Sequence, residues 1–136
     1  MILGLGVDLF DVGRLEREID RHGPKFLDSV LSPEEQIGHR GGRHGIAALA
    51  GCFAAKEALL KALGTGVTGE ISWLEVDIED HHGPCPQARP TGGARRAIEK
   101  LGVQRIHISI SRGRRWALAA VVLEGRANGP VLSEEI

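Results

Sequence analysis

Asp8 closes the run Ile2-Leu3-Gly4-Leu5-Gly6-Val7-Asp8. An ionised carboxylate in so apolar a stretch is costly to bury unless a cation stands beside it. Strand alternation puts Asp8 on the face of Gly4 and Gly6, which leave room beside it, with Leu3, Leu5, Val7 and Leu9 on the other. The plainer role is a strand-end acid that caps the next turn. Glu57 and Lys61 lie in Phe53-Ala54-Ala55-Lys56-Glu57-Ala58-Leu59-Leu60-Lys61-Ala62-Leu63-Gly64. At i and i+4 they leave one helix face together, as a surface ion pair or as a carboxylate and an ammonium offered to a ligand. Gly64-Thr65-Gly66 follows at once, and short glycine-rich turns offer free N–H groups to phosphate.

His107, Ser109 and Ser111 alternate with Ile106, Ile108 and Ile110, so the polar residues share one strand face. That face lines a polar cleft or is plain exposed sheet. A Ser-His hydrolase does not fit, because no nucleophile elbow and no orienting acid accompany the pair. His39, His44, His81 and His82 lack the spacing of a zinc site and read as solvated loop residues. Arg14, Arg17 and Arg21 recur at helical spacing with Lys25, which makes a solvated face or a basic stripe for an acidic protein.

The elements that must position these groups are short and mixed. Residues 2–9 read as a strand. A helical stretch from Asp11, its N-cap, to about Ser32 breaks at Gly23-Pro24. Ser32-Pro33-Glu34-Glu35 opens a short helix, and 38–45 is a loop. The longest helix spans 46–63, carries alanine over most of its circumference and ends at Gly64. Residues 71–79 alternate as a strand, and 81–93 is loop or irregular edge. A short helix over 94–101 precedes strands at 103–111 and 116–123, joined by the hairpin turn Arg112-Gly113-Arg114-Arg115. The order implies an α+β fold with one domain over 1–124 and a loose tail over 125–136.

Composition agrees. The chain has 136 residues, 42% of them hydrophobic and 26% charged, enough for a single core without staples. Its net charge of −1 gives no reason to expect nucleic acid or an anionic membrane as partner. No apolar run is long enough to span a bilayer, and the N-terminus lacks the basic region of a secretory signal. Cys52 and Cys85 are the only cysteines, neither in a CxxC pair. Nothing demands a disulfide, and the cytoplasm is the expected compartment.

Read together, three blocks resemble the small class of 4′-phosphopantetheinyl transferases, the holo-[acyl-carrier-protein] synthases. They are Ile2 to Glu16, Phe53 to Gly66, and Ile106 to Ser111 with the following strand Trp116–Glu124. Order, spacing and length agree over residues 2–124. The resemblance implies a fold with an antiparallel sheet packed on the long Ala-rich helix. It also implies transfer of the phosphopantetheine arm of coenzyme A to a serine of an apo acyl carrier protein, releasing adenosine 3′,5′-bisphosphate, in fatty-acid or polyketide biosynthesis. Asp8 and Glu57 would bind Mg²⁺, which is commonly held by one or two carboxylates plus substrate phosphates. Lys61 would reach a phosphate of coenzyme A, and Gly64, Thr65 and Gly66 would shape the nucleotide pocket. His107, with Ser109 and Ser111, would stand beside the pyrophosphate. The base is His107, a metal-activated water or a carrier carboxylate. By the same resemblance the protein is a homotrimer with its site between subunits, the loop Arg40–His44 being the neighbour's contribution. Arg14, Arg17 and Arg21 would dock the acidic helix of the carrier.

Three departures mark the chain. Cys52 replaces the arginine usual before Phe-Ala-Ala-Lys-Glu and removes a cation often placed near coenzyme A. Ser111-Arg112 stands where a Ser-His pair is frequent, and Gly83-Pro84-Cys85-Pro86 replaces a Gly-Lys-Pro turn. Two competing readings remain: a trimer that binds coenzyme A or a carrier without catalysis, supported by Cys52 and Arg112, and a plain α+β structural domain.

Overall fold

The computed structural model describes residues 1–37, 42–64, 71–80 and 85–126, with the backbone alone at 42–44. The chain runs β1 (Ile2–Asp11), α1 (Val12–His22), α2 (Pro24–Val30), α3 (Pro33–Ile37), α4 (Gly42–Leu63), a 3₁₀ turn (Trp73–Glu75), β2 (Val76–Glu79), β3 (Gln87–Pro90), α5 (Gly92–Leu101), β4 (Val103–Arg112) and β5 (Trp116–Gly125). The order β1-β5-β4 makes a three-stranded antiparallel sheet, and β2 and β3 pair as a second, antiparallel sheet. The α+β class and the helix-backed antiparallel sheet are as expected.

The core forms where α4 lies on the larger sheet. Ala50, Ala54, Ala55, Ala58 and Leu59 are fully buried, as are the inward residues of β5, Ala117, Ala119, Val121 and Leu123. Small side chains on the helix meet glycines on β1. A Cβ on Gly6 would run into the carbonyl oxygen of Ala58 and lie 2.8 Å from the amide nitrogen of Ala62. Gly4 is pressed in the same way against Ala62. The glycine face of β1 is therefore the buried one, while Leu5, Val7 and Leu9 stay exposed.

That contact predicts a large response to one methyl group. Gly6→Ala has only backbone to push against, so α4 must shift; overpacking of this kind costs about 1–3 kcal/mol. Urea denaturation should show that loss.

Several boundaries move for local reasons. The break before α2 falls at Gly23, whose φ of +69° suits glycine. Helix α4 begins at Gly42 rather than 46, so its first turn takes residues expected in a loop. Over 71–79 the strand is only half formed: Ser72 accepts from the Leu74 amide at 3.2 Å and turns 73–75 into a 3₁₀ helix. The edge expected in 81–93 contains β3. The tail begins later than 125, because Gly125 N–H bonds to Met1 O and Arg126 N–H to Gly102 O, both at 3.0 Å. Residues 127–136 lie outside the described residues, as do His39, Arg40, Thr65, Gly66, His81 and His82. No helix among the described residues is long and apolar enough to cross a membrane.

Candidate active site

Helix α4 brings its face at Glu57 and Lys61 over the end of β1. Lys61 does not pair with Glu57. Its Nζ lies 2.8 Å from Asp8 Oδ1 and donates to the carbonyl of Val7 at 3.1 Å. The side chain of Asp8 is only 12% exposed, and its second oxygen, Oδ2, is buried without a hydrogen-bond partner among the described residues. A buried carboxylate oxygen left bare is costly, which makes it an opening for a cation.

Glu57 accepts a 2.8 Å hydrogen bond from the indole Nε1 of Trp73. Asp8, Glu57 and Trp73 line one cavity of about 330 Å³, walled also by Phe10, Phe26 and Phe53. Phe10 and Phe53 pack at a tilt with ring centroids 4.7 Å apart, as do Phe53 and Trp73 at 5.8 Å. Arg14 and Glu18 of α1 form the rim, with the Arg14 guanidinium 5.8 Å from the Phe10 ring. Among the described residues no group of three or more His, Cys, Asp or Glu is placed to hold a metal ion by itself. Two acidic side chains beside open space suit Mg²⁺, a hard cation that takes oxygen ligands and completes its shell with water and substrate phosphate.

The expected grouping of His107, Ser109 and Ser111 with these carboxylates does not occur within the single chain. Asp8 pairs with Ala119 on β5, and Ala119 pairs with Ile110 on β4. Ser109 shares its row with Ala120 and Val7, and Ser111 with Leu118 and Leu9. Paired residues of an antiparallel sheet share a face. The three polar residues therefore stand on the sheet face away from α4, where His107 Nε2 meets Glu124 Oε2 at 3.0 Å. Of the glycine turn only Gly64 is described; it sits at φ +75° and caps α4 by bonding to Lys61 O. Arg14, Arg17 and Arg21 are exposed along α1, with Arg17 4.0 Å from Asp11. Asp11 caps the helix by accepting from the Gly13 amide at 2.9 Å.

Cys52 is not at the edge of a ligand site. It is 1% exposed, and its thiol donates to Glu35 Oε2 at 3.0 Å. Burial, followed by the neighbouring Glu35 carboxylate, pushes the thiol far above its usual range. Where the arginine is usual, this chain therefore has a core thiol held by Glu35. Native protein should expose one thiol per chain to a disulfide reagent, the exposed Cys85, with Cys52 reacting only after denaturation. Arg112 pairs with Asp80 and lies across Gly51 of α4. Burial lowers its pKa.

Two important residues carried no sequence assignment. Lys56 is completely buried and forms a 2.5 Å ion pair with the buried Glu35. Its remaining donors go to the carbonyls of Val30 at 2.8 Å and Trp73 at 3.0 Å. Glu35 accepts in turn from the amides of Ser32 and Ile78, each at 2.8 Å. With Ser32 Oγ accepting from the Glu35 amide at 3.3 Å, this is a capping box. Its signal, Ser-x-x-Glu, was present at 32–35, but only as the start of a helix. Trp73 had no signal, since its indole finds Glu57 only through the tertiary fold.

The family model of the 4′-phosphopantetheinyl transferase superfamily matches residues 4–121, and the chain belongs to that superfamily. Its relatives there are more specific. It is 43% identical over 124 residues to the holo-[acyl-carrier-protein] synthase of Desulfovibrio desulfuricans, covering 91% of this chain and 98% of that protein. With the enzyme of the same name from Maridesulfovibrio salexigens it shares 40% over 124 residues, covering 91% and 99%. The crystal structure of the Neisseria meningitidis holo-[acyl-carrier-protein] synthase superposes with a TM-score of 0.82 at 32% identity, over 91% of this chain and 99% of that one. The Bacillus anthracis enzyme, solved in complex with CoA (3′,5′-ADP), gives 0.76 at 31%, over 93% and 99%.

Proposed function

We propose that Asp8 and Glu57 of this phosphopantetheinyl transferase hold Mg²⁺ while the phosphopantetheine arm of coenzyme A passes to a serine of an apo acyl carrier protein. The observation that carries the reading is the buried Oδ2 of Asp8, without a hydrogen-bond partner among the described residues, in a residue that lines the same cavity as Glu57. Mg²⁺ there would neutralise charge developing on the pyrophosphate during transfer.

The chain's own groups have separable tasks. Lys61 holds the Asp8 carboxylate through Oδ1 and carries a half-exposed ammonium suited to a phosphate. Asp8 gives Oδ1 to Lys61 and leaves its buried Oδ2 without a hydrogen bond among the described residues. The aromatic wall excludes water from one side of the cavity, which strengthens charge interactions inside it. In the transfer the serine oxygen forms a bond to phosphorus, the bond to adenosine 3′,5′-bisphosphate breaks, and the serine proton leaves to a base. His107 reaches that proton only from a neighbouring protomer.

A homotrimer supplies such a neighbour. It is supported by the uncovered apolar sheet face, where Leu5, Val7, Leu9, Trp116 and Leu118 are exposed. His107, Ser109 and Ser111 border that patch on β4, so a subunit seated on the patch has them within its margin. The carrier is proposed to dock on α1 through Arg14, Arg17 and Arg21, in the cytoplasm.

The test is intact-protein mass spectrometry of an apo acyl carrier protein incubated with coenzyme A, Mg²⁺ and this protein. A gain of one phosphopantetheine group, abolished by EDTA, supports the reading; no gain with Mg²⁺ present counts against it. Charge reversal at Arg14 and Arg21 should raise KM for the carrier and leave coenzyme A binding unchanged. Equal loss of both would assign α1 a structural part instead.

A further inference from the structure

Among the described residues the carboxylate of Glu57 is held by one side chain, Trp73, and that side chain is gripped by the same helix turn. Trp73 donates its indole N–H to Glu57 Oε1 at 2.8 Å. The backbone carbonyl of Trp73 accepts from Lys56 Nζ at 3.0 Å. Consecutive residues of α4 thus hold Trp73 at two points, one on its backbone and one on its ring. Lys56 is itself immobilised by Glu35 and the Val30 carbonyl. The ring is fixed from a third direction by Phe53, at 5.8 Å between centroids, and the turn under it by the Ser72 cap.

The indole is only partly buried and borders the open cavity, so burial alone does not require this hydrogen bond. A phenyl ring would keep the tilted contact with Phe53. The N–H is the one part of the side chain aimed at Glu57.

We propose that Trp73 is a positioning residue: its indole N–H fixes Oε1 of Glu57 and thereby sets how the carboxylate meets a divalent cation in the cavity. The inference rests on the reading of Asp8 and Glu57 as cation ligands. Hydrogen-bond donors to a ligating carboxylate orient it, and their loss commonly weakens metal binding by about 10–100-fold. Holding the group in advance also removes the rotamer freedom it would otherwise lose on binding.

The experiment measures Mn²⁺ binding directly, by the electron paramagnetic resonance signal of the free ion, with the full chain, saturating coenzyme A and no carrier. Trp73→Phe keeps an aromatic ring at the contact with Phe53 and removes the N–H together with part of the indole. It is expected to weaken Mn²⁺ binding by about 10–100-fold with little change in thermal melting. In a Glu57→Gln background the same substitution is expected to add no further loss, because Trp73 acts through Glu57. Unchanged Mn²⁺ affinity in Trp73→Phe overturns the proposal, as does an equal additional loss when Glu57 is already Gln.

A second readout leaves Trp73 in place. In a Trp116→Phe protein Trp73 is the sole tryptophan, and Mn²⁺ should quench its emission with a midpoint matching the resonance titration. Glu57→Gln should move that midpoint to higher Mn²⁺ in step; quenching indifferent to Glu57 counts against the proposal. If Glu57→Gln leaves Mn²⁺ affinity at the starting value, the cation assignment itself fails and the positioning role falls with it. That outcome is distinct from a failure at Trp73 alone.

Discussion

Glu57→Gln is expected to abolish phosphopantetheine transfer, by about 100-fold or more, in a protein that stays folded. The magnitude follows from what Glu57 offers. Three acidic residues line the cavity, Asp8, Glu18 and Glu57, and Glu57 with Asp8 stands where a cation would bridge protein and substrate. Losing the orienting partner of a ligand costs about 10–100-fold, and losing the ligand's charge is a larger change. The fold should persist because the amide matches the carboxylate in shape and still presents an oxygen to the Trp73 indole. The check pairs product formation by mass shift with a thermal melt at the same protein concentration, since assembly changes apparent stability. Wild-type turnover in this variant would sink the assignment of Glu57 as a cation ligand. A joint loss of turnover and melting temperature would instead give Glu57 a structural part through Trp73.

The second large effect is on stability. Lys56→Met is expected to cost about 3–5 kcal/mol, because it leaves the Glu35 carboxylate charged and without its cation in the core. Glu35 joins α3 to β2 through the Ile78 amide and to α4 through Lys56 and Cys52. Three elements therefore lose a common anchor when it is disturbed. Lys56→Met combined with Glu35→Gln removes the uncompensated charge and should recover a large part of the loss. Urea denaturation of both variants at one protein concentration checks this. A loss of less than about 1 kcal/mol in the single variant would mean that water or a shifted carboxylate replaces the lysine.

Much of this organisation was legible before any coordinates. Gly23-Pro24, Ser32-Pro33 and Gly102 are local signals, since each acts through its own φ angle or a hydrogen bond a few residues away. They marked the helix ends within a few residues. The hairpin at 112–115 and the alternation in β4 were legible for the same reason. The 3₁₀ turn at Trp73 was not, because its competitor to the strand is a side-chain bond from Ser72 that hydrophobic alternation does not record. Lys56 was hidden among charged residues of a helix; only tertiary packing buries it, and burial is what turns an ordinary lysine into a paired one.

The site divides along the same line. Strand and helix periods in the sequence by themselves determined that Asp8 shares a face with Gly4 and Gly6, that Glu57 and Lys61 leave α4 together, and that His107, Ser109 and Ser111 lie in one row. Periodicity says which residues share a face and is silent on what that face meets. Only the tertiary structure decided that the glycine face of β1 turns inward to α4, that Lys61 pairs with Asp8 across 53 residues of chain, and that Trp73 reaches Glu57. It also put the histidine row on the opposite side of the sheet, because the register of β5 aligns Asp8 with Ile110 rather than with Ser109. These are contacts between distant segments, selected by close packing of Ala58 and Ala62 against Gly4 and Gly6; no spacing within one segment contains them.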